Sequence, residues 1–443
     1  MNSTDDLPLT YRNPAGLLQK LIRFDTTNPP GNEAECVSFA GHLLNQAGVE
    51  TRILAKSPNR PNLIARLPGQ GRSAPLLLYG HVDVVTTAQQ EWQHPPFEGR
   101  QVDGEVWGRG ALDMKGGVAM MLAAFLRARA EGLKPLGDIV LAILSDEEAG
   151  GDFGAKFLVE EHPEEFAEIR YAIGEFGGFT FTVGKRRFYP IQVAEKQMCW
   201  SRAILCGPGG HGSQPVRGGA MAGLACFLRR LDAHRLPAHI TPAARLMLAP
   251  MASTLGGISG LMIRQLLNPG LTDRVLTLLG ARGQLFDPLL HNTVSPTILH
   301  GSDKINVIPG QVVVELDGRL LPGFRPEHLI SEVRAVVGED VMLEVIRHDP
   351  GPAEPDMGWF DTLAGILKEA DPEGVPIPLL LSGTTDGRFF AQLGIQTYGF
   401  LPMQLPEGFN FTRTIHAADE RIPLAALEFG TNAVYQALQR MAA

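Results

Sequence analysis

Cysteine is scarce. Four occur in 443 residues, Cys36, Cys199, Cys206 and Cys226, and none forms a Cys-x-x-Cys pair. That argues against a thiolate zinc site and points to a reducing compartment. Basic excess is also missing. The chain has 39 Lys and Arg against 48 Asp and Glu, a formal net charge of −9, so it lacks the basic face that a nucleic-acid partner requires. The longest uncharged apolar run, VAMMLAAFL at 118–126, is too short to span a bilayer. The opening MNSTDDLPLTYRNP is polar and acidic, unlike a secretory signal. A cytoplasmic protein with no membrane and no nucleic-acid partner is expected. There is no low-complexity tract and no internal repeat. No G-x-S-x-G elbow occurs, which argues against a serine hydrolase.

What is present is a composition with 44% apolar and 20% charged residues and enough length for two domains. Up to about residue 188, short apolar runs alternate with helical stretches: ETRILA, NLIARL, PLLLYGHVDVV, then an apolar helix over 116–131, then DIVLAIL, GAKFLVEEH and YAIG. This pattern predicts an α/β domain with a mostly parallel mixed sheet flanked by helices. After 188 the style changes. YPIQVAEKQMCWSRAILCG reads as one long strand or a hairpin. A helix, two strands, a helix over 326–337 and the strand VMLEVIRH follow. That order predicts an α+β lid domain: one antiparallel sheet with two helices, plus a Leu- and Met-rich helical insert near 241–290, for which a structural role is favoured. DPGPAEPD at 349–356 reads as a hinge, after which the α/β style resumes. The expected division is 1–188 and 351–443 for one interrupted catalytic domain and 189–350 for the lid.

Several apolar runs of the first domain end in metal-capable side chains. LLLYG runs into His81 and Asp83, VLAIL into Asp146, Glu147 and Glu148, and YAIG into Glu175; Asp113 follows VWGRGAL. Ligands of open α/β sheets bind at the carboxyl ends of strands. Each residue alone has an ordinary reading, as a core histidine, a solvated loop or a turn. Together they would crowd carboxylates into one crevice, which is costly unless cations neutralise them. Glycines directly after the acids (DMKGG, EEAGG, EFGG) let the backbone turn and approach a ligand.

The motifs GHVDVV, WGRGALDMKGG, SDEEAGG, GPGGHGSQP, NVIPG, DGRLLPG and TIHAADERI occur in an order that resembles the di-zinc metallopeptidase family. That family holds aminoacylase, acetylornithine deacetylase, succinyl-diaminopimelate desuccinylase and the glutamate-releasing carboxypeptidases. The resemblance implies a catalytic domain interrupted by a lid domain, and two divalent metal ions, Zn2+ first, with Co2+ or Mn2+ as alternatives. It implies that Asp113 bridges them, that His81 and Glu175 complete one site, and that Glu148 and His416 complete the other. Asp83 would orient the His81 ring. Glu147 would be the general base, and His211, between two glycines, the donor to the carbonyl oxygen. Arg319 resembles the arginine that binds a substrate carboxylate, and Asn306, Gly383 and Thr384 are further substrate-site candidates. A cis Asp113–Met114 peptide and a homodimer through the lid are implied as well.

The leading expectation is a metal-dependent hydrolase that cleaves an amide next to a free carboxylate, acting on a peptide or an N-acyl amino acid. An N-acyl-amino-acid deacylase is the alternative. A catalytically silent binding protein of the same fold is the third reading, opposed by the retention of Glu147 and of every metal-capable residue.

Overall fold

The computed structural model describes residues 10–441. The reading of the opening residues as unlike a signal falls largely on 1–9, outside that span. The continuous apolar runs form the middle of a nine-stranded mixed sheet. Strands Leu76–His81 and Ile139–Leu144 are buried at every position, as strands covered on both faces must be. They run parallel, with His81 opposite Leu144. Tyr171–Gly174 lies parallel on the other side of Leu76–His81, and Gln396–Gly399 lies parallel beyond it. Antiparallel pairings flank this centre: Pro61–Leu67 on Ile139–Leu144, then Thr51–Ala55, and Arg186–Glu195 beside Gln396–Gly399. The expected mixed α/β sheet is thus present, and its parallel strands sit together at the middle.

The helix Lys115–Ala130 buries residues on all its faces. It packs between the sheet and the helices Pro14–Ile22 and Leu424–Arg440. Its first turn starts tightly: a Cβ on Gly116 would lie 2.1 Å from the Ala111 carbonyl oxygen. Only glycine fits there, and that close turn holds the segment carrying Asp113.

Two compact units emerge. One falls within Met1–Val193, Asp356–Leu379 and Thr385–Ala443; the other within Ala194–Pro355 and Leu380–Thr384. The second contains a four-stranded antiparallel sheet. From edge to edge its strands are Thr293–His300, Gln311–Leu320, Gln197–Cys206 and Met342–His348. Helices Ala220–Ala233 and Pro326–Val337 cover it, and the core between them includes Leu205, Phe227, Val314, Leu329 and Val333. The stretch 241–290 is helical, with α-helices Pro242–Leu255, Gly257–Gln265, Thr272–Leu279 and Asp287–Leu290. They bury Met247, Leu248, Met251, Ile263, Leu276 and Leu290, which supports the structural reading of this insert.

One expectation is corrected. YPIQVAEKQMCWSRAILCG is neither a single strand nor a hairpin. Its halves, Arg186–Glu195 and Gln197–Cys206, belong to different sheets, and the break falls at Lys196. Lys196 is buried there, its Nζ donating to the His291 carbonyl at 2.9 Å and to Thr293 Oγ1 at 2.8 Å.

Candidate metal centre

The parallel strands deliver their carboxyl ends to one place. His81 ends one strand and Glu175 directly follows another. Asp113 precedes the helix Lys115–Ala130, and Glu147 and Glu148 open the 3-10 turn after Ile139–Leu144. His416 comes from the loop before Arg421–Pro423. His81, Asp113 and Glu175 form one group and Asp113, Glu148 and His416 a second. In each group the ligand-capable atoms lie within 4.8 Å of one another. His81 Nε2 is 3.3 Å from Asp113 Oδ1 and 3.5 Å from Glu175 Oε2. His416 Nε2 is 3.0 Å from Asp113 Oδ2 and 3.2 Å from Glu148 Oε1. Asp113 therefore turns one oxygen to each group. The Asp113–Met114 peptide is cis.

These atoms meet chiefly one another. His81 Nε2, Glu148 Oε1 and Glu175 Oε1 are buried and make no hydrogen bond of good geometry beyond the ion-pair distances just given. Buried polar atoms nearly always have well-formed partners, so their convergence in the two groups fits a ligand. The donor set of one imidazole and two carboxylates per group suits a divalent cation with a preference for nitrogen and oxygen.

A buried network holds the two glutamates in place. The Asp83 carboxylate accepts the backbone N–H of Glu147 and of Glu148, each at 3.1 Å, and Asn28 Nδ2 at 2.8 Å. The His81 ring is fixed chiefly by the main chain: Nδ1 lies 3.0 Å from the Asp83 carbonyl and 3.4 Å from its carboxylate. A proton on Nδ1 leaves the Nε2 lone pair toward Asp113 and Glu175. Asp146 joins neither group. It sits at φ +71, pairs with Arg60 at 2.9 Å and accepts from Asn28 and from the Phe153 N–H. Arg60 in turn grips Glu33 with two hydrogen bonds. His416 and Phe176 also have left-handed backbones, at φ +60 and +58. Such conformations gather where a site demands them.

The electrostatics reflect crowded acid. Burial, helped by Glu175 and Asp386, drives the Glu147 carboxyl well above its usual range. Burial and then Asp113 raise Glu148 to about 7. Hydrogen bonds to Asp113 and Glu148 raise His416 to about 10. Burial opposes a charge on His81, but Asp113, Asp83 and Glu175 outweigh it and hold the imidazole well above its ordinary value. Burial likewise opposes the Asp113 charge, and the two histidines overcome it.

In the smaller unit, His211 and Asn306 come together on a two-stranded ribbon. His211 pairs with Val307, and the Gly212 N–H donates to the Asn306 carbonyl at 2.8 Å. Both side chains are exposed. His211 Nδ1 lies 2.7 Å from the Ser213 hydroxyl oxygen and 3.2 Å from the Ser213 backbone nitrogen, so this ring nitrogen is engaged within its own loop. Arg319 is clamped by Asp317 on its own strand, through Nε at 2.8 Å and Nη2 at 3.2 Å. Its Nη1 donates to Thr384 Oγ1 at 3.0 Å. The clamp uses one edge of the guanidinium, and an N–H on each Nη remains for a second acceptor. Thr384 thus joins Arg319, whereas Gly383 meets nothing nearer than the Leu381 side chain, 3.9 Å from where a Cβ would stand.

Some site residues were not legible. Glu420 lies inside the quoted TIHAADERI motif, where no role was read. Its carboxylate accepts the N–H groups of Leu112 and Asp113 at 2.8 and 3.1 Å and pairs with Arg109 at 2.6 Å, so it fixes the Asp113 backbone. Asp386 is fully buried, and neither of its oxygens has a hydrogen-bond partner. Burial raises it to about 8, with Arg388 opposing. The only sequence signal for Asp386 was its place in SGTTDGRFF beside Thr384.

Comparison with known proteins agrees with this geometry. The model of Peptidase family M20/M25/M40 matches residues 77–440. Probable carboxypeptidase S-like 2 of Dictyostelium discoideum is 28% identical over 370 residues, covering 79% of this chain and 68% of that protein. The N-fatty-acyl-amino acid synthase/hydrolase PM20D1 of Homo sapiens is 26% identical over 378 residues, covering 82% and 74%. The structure of Sso-CP2, an M20 family metallo-carboxypeptidase from Sulfolobus solfataricus, superposes with a TM-score of 0.69 at 15% identity over 97% of this chain and 99% of that one, and so shares its fold. With the family model spanning the strands and loops that carry both donor groups, the chain belongs to peptidase family M20/M25/M40, the metal-dependent peptidases and amidohydrolases.

Proposed function

We propose that this protein cleaves an amide bond next to a free carboxylate, as a carboxypeptidase or dipeptidase does, with the larger unit as catalytic domain and the smaller as lid. The observation that carries the reading is the pair of donor groups sharing Asp113. His81, Asp113 and Glu175 would hold one divalent cation and Asp113, Glu148 and His416 the other, zinc in first place and cobalt or manganese as alternatives. When bound, such cations polarise a carbonyl and acidify water. Glu147 belongs to neither donor group and stands half-buried, next in the chain to Glu148. It takes the proton of the attacking water and passes it to the leaving amine. Glu420 and Asp83 hold the backbones of Asp113 and of the two glutamates, so these groups need no reorganisation during the reaction. His211 donates to the developing oxyanion. Arg319, steadied by Asp317 and Thr384, takes the substrate carboxylate with its two remaining N–H groups; Asn306, Gly383 and Thr384 complete the substrate-site proposal.

The human relative named above is an N-fatty-acyl-amino acid synthase/hydrolase, which supports deacylation of N-acyl amino acids as the second reading. A screen of dipeptides and N-acyl amino acids with zinc-, cobalt- or manganese-loaded protein separates the two. Each substrate is paired with its methyl ester. Wild type is expected to prefer the free acid strongly, and Arg319→Ala and Arg319→Lys to lose most of that preference. Equal cleavage of the ester by wild type would sink the carboxylate reading.

A further inference from the structure

Asp83 fixes the backbone of Glu147, and a base needs its carboxylate fixed as well. The cation that faces this carboxylate comes from far along the chain. Arg388 lies in the short helix Gly387–Phe390 of the larger unit. Its Nη1 is 3.8 Å from Glu147 Oε1, with the two side chains only 5% and 13% exposed. That separation makes an ion pair without a direct hydrogen bond, and low exposure strengthens the attraction. The guanidinium itself is held. Nη1 donates to the Thr385 carbonyl at 2.6 Å and Nη2 to the Gly150 carbonyl at 3.2 Å. Its central carbon stands 4.3 Å from the centre of the Phe389 ring, within cation–π range. The Gly150 N–H donates in turn to the Glu147 carbonyl at 3.0 Å. Arg388 therefore meets both the carboxylate of Glu147 and the far end of the turn that carries it. The two segments also pack closely. Gly151 has φ +78, and a Cβ there would stand 2.6 Å from Phe389 Cε2 and 3.1 Å from Asp386 Oδ1, so no side chain fits between them.

We propose that Arg388 is a positioning residue for Glu147. The inference rests on the hydrolytic reading above. Glu147 must keep its carboxylate within reach of the attacking water without joining either donor group. Arg388 draws Oε1 toward itself and leaves Oε2 for the water's proton. A planar guanidinium serves two carbonyls and a carboxylate at once. Glutamine has no charge for the carboxylate, and the point charge of lysine cannot reproduce the fork. Arg388 belongs to neither donor group and acts through Glu147, so its loss costs turnover rather than substrate binding.

Metal-loaded wild type, Arg388→Gln and Arg388→Lys are compared on the substrate that wild type cleaves best in the screen above. Arg388→Gln is expected to lower kcat on the order of 10²-fold, the scale of a misplaced catalytic group, with KM and metal content unchanged. Arg388→Lys, which keeps the charge, is expected to recover part of the loss. A general structural defect would lower turnover too, so the deciding comparison is made in Glu147→Gln. There Arg388→Gln should cost nothing further, because groups that act as a unit are not additive. If Arg388→Gln does not fold, Arg388→Lys carries the same cycle. An equal loss in both backgrounds, or a raised KM with kcat intact, would overturn the assignment. Crystal structures of the zinc-loaded proteins give a reading without turnover. The Glu147 carboxylate should leave its place in Arg388→Gln while Glu148 stays, and an unmoved Glu147 would also overturn the proposal. Should wild type cleave no amide at all, the hydrolytic reading falls, and the displacement of Glu147 alone decides whether Arg388 positions it.

Discussion

Glu147 and Glu148 share one turn and one anchor, since Asp83 accepts both of their N–H groups. Their side chains then part. Glu148 lies 3.2 Å from His416 and joins a donor group, while the nearest cation to Glu147 is Arg388 at 3.8 Å. The two should therefore fail differently. Glu147→Gln is expected to keep its metal and lose turnover by roughly 10²–10⁴-fold, the usual scale of general acid–base catalysis. Glu148→Ala is expected to lose metal from one group. If elemental analysis and rate assays showed both variants metal-replete and active, the assignment would fall. His81, Glu148 and Glu175 were legible as candidates because parallel strands end together and the residues there are chemically distinctive; Asp113 stood out only after VWGRGAL, and His416 came from the motif resemblance alone. The supports were not. Arg60 and Glu33 form a salt bridge 27 residues apart in the chain, and Asn28 meets Asp146 across 118. These are common residue types that gain meaning only after folding. Asp146 shows the converse. It looked like a third acid of the site, yet its carboxylate belongs to the support.

Among the elements, the strands and helices followed from apolar periodicity, including the helical character of 241–290. Periodicity did not show that 189–207 divides between two sheets, because an apolar run looks the same whichever sheet it enters. The mark of the division is Lys196, a charged residue inside an apolar run. Burial, and then the nearby Arg319, lower its pKa to about 7. An unfolded lysine titrates near ~10.4. Between about pH 7 and 10 the unfolded chain therefore holds a proton that the folded chain has released, so this residue makes stability rise with pH across that window. Below about pH 7 both states are protonated and the burial cost is fully present. Lys196→Met should flatten the rise, whatever uniform cost follows from its two lost hydrogen bonds. Denaturation midpoints at the two ends of the window decide it: equal pH dependence in wild type and variant would refute the assignment.

At the scale of the whole molecule, the smaller unit's sheet ends in two strands, each with a free edge among the described residues. Both carry exposed large side chains, Ile298 and Leu299 on one and Met342, Val345 and Ile346 on the other. Open apolar edges invite pairing, and we propose on that ground the homodimer through this unit that the motif resemblance implies. Sedimentation of wild type as a dimer and of Ile346→Lys as a 48.0 kDa monomer is the expected result; a monomeric wild type would contradict it. No helix among the described residues is long and apolar enough to cross a membrane. The central claim concerns the centre around which both units are read, two cations sharing one carboxylate. The most direct measurement is the metal content per chain of purified wild type and of Asp113→Ala, each equilibrated with excess zinc and then desalted. The account predicts two ions per chain in wild type and the loss of most of both in the variant, because one aspartate serves both groups. An Asp113→Ala protein holding as much metal as wild type would contradict it.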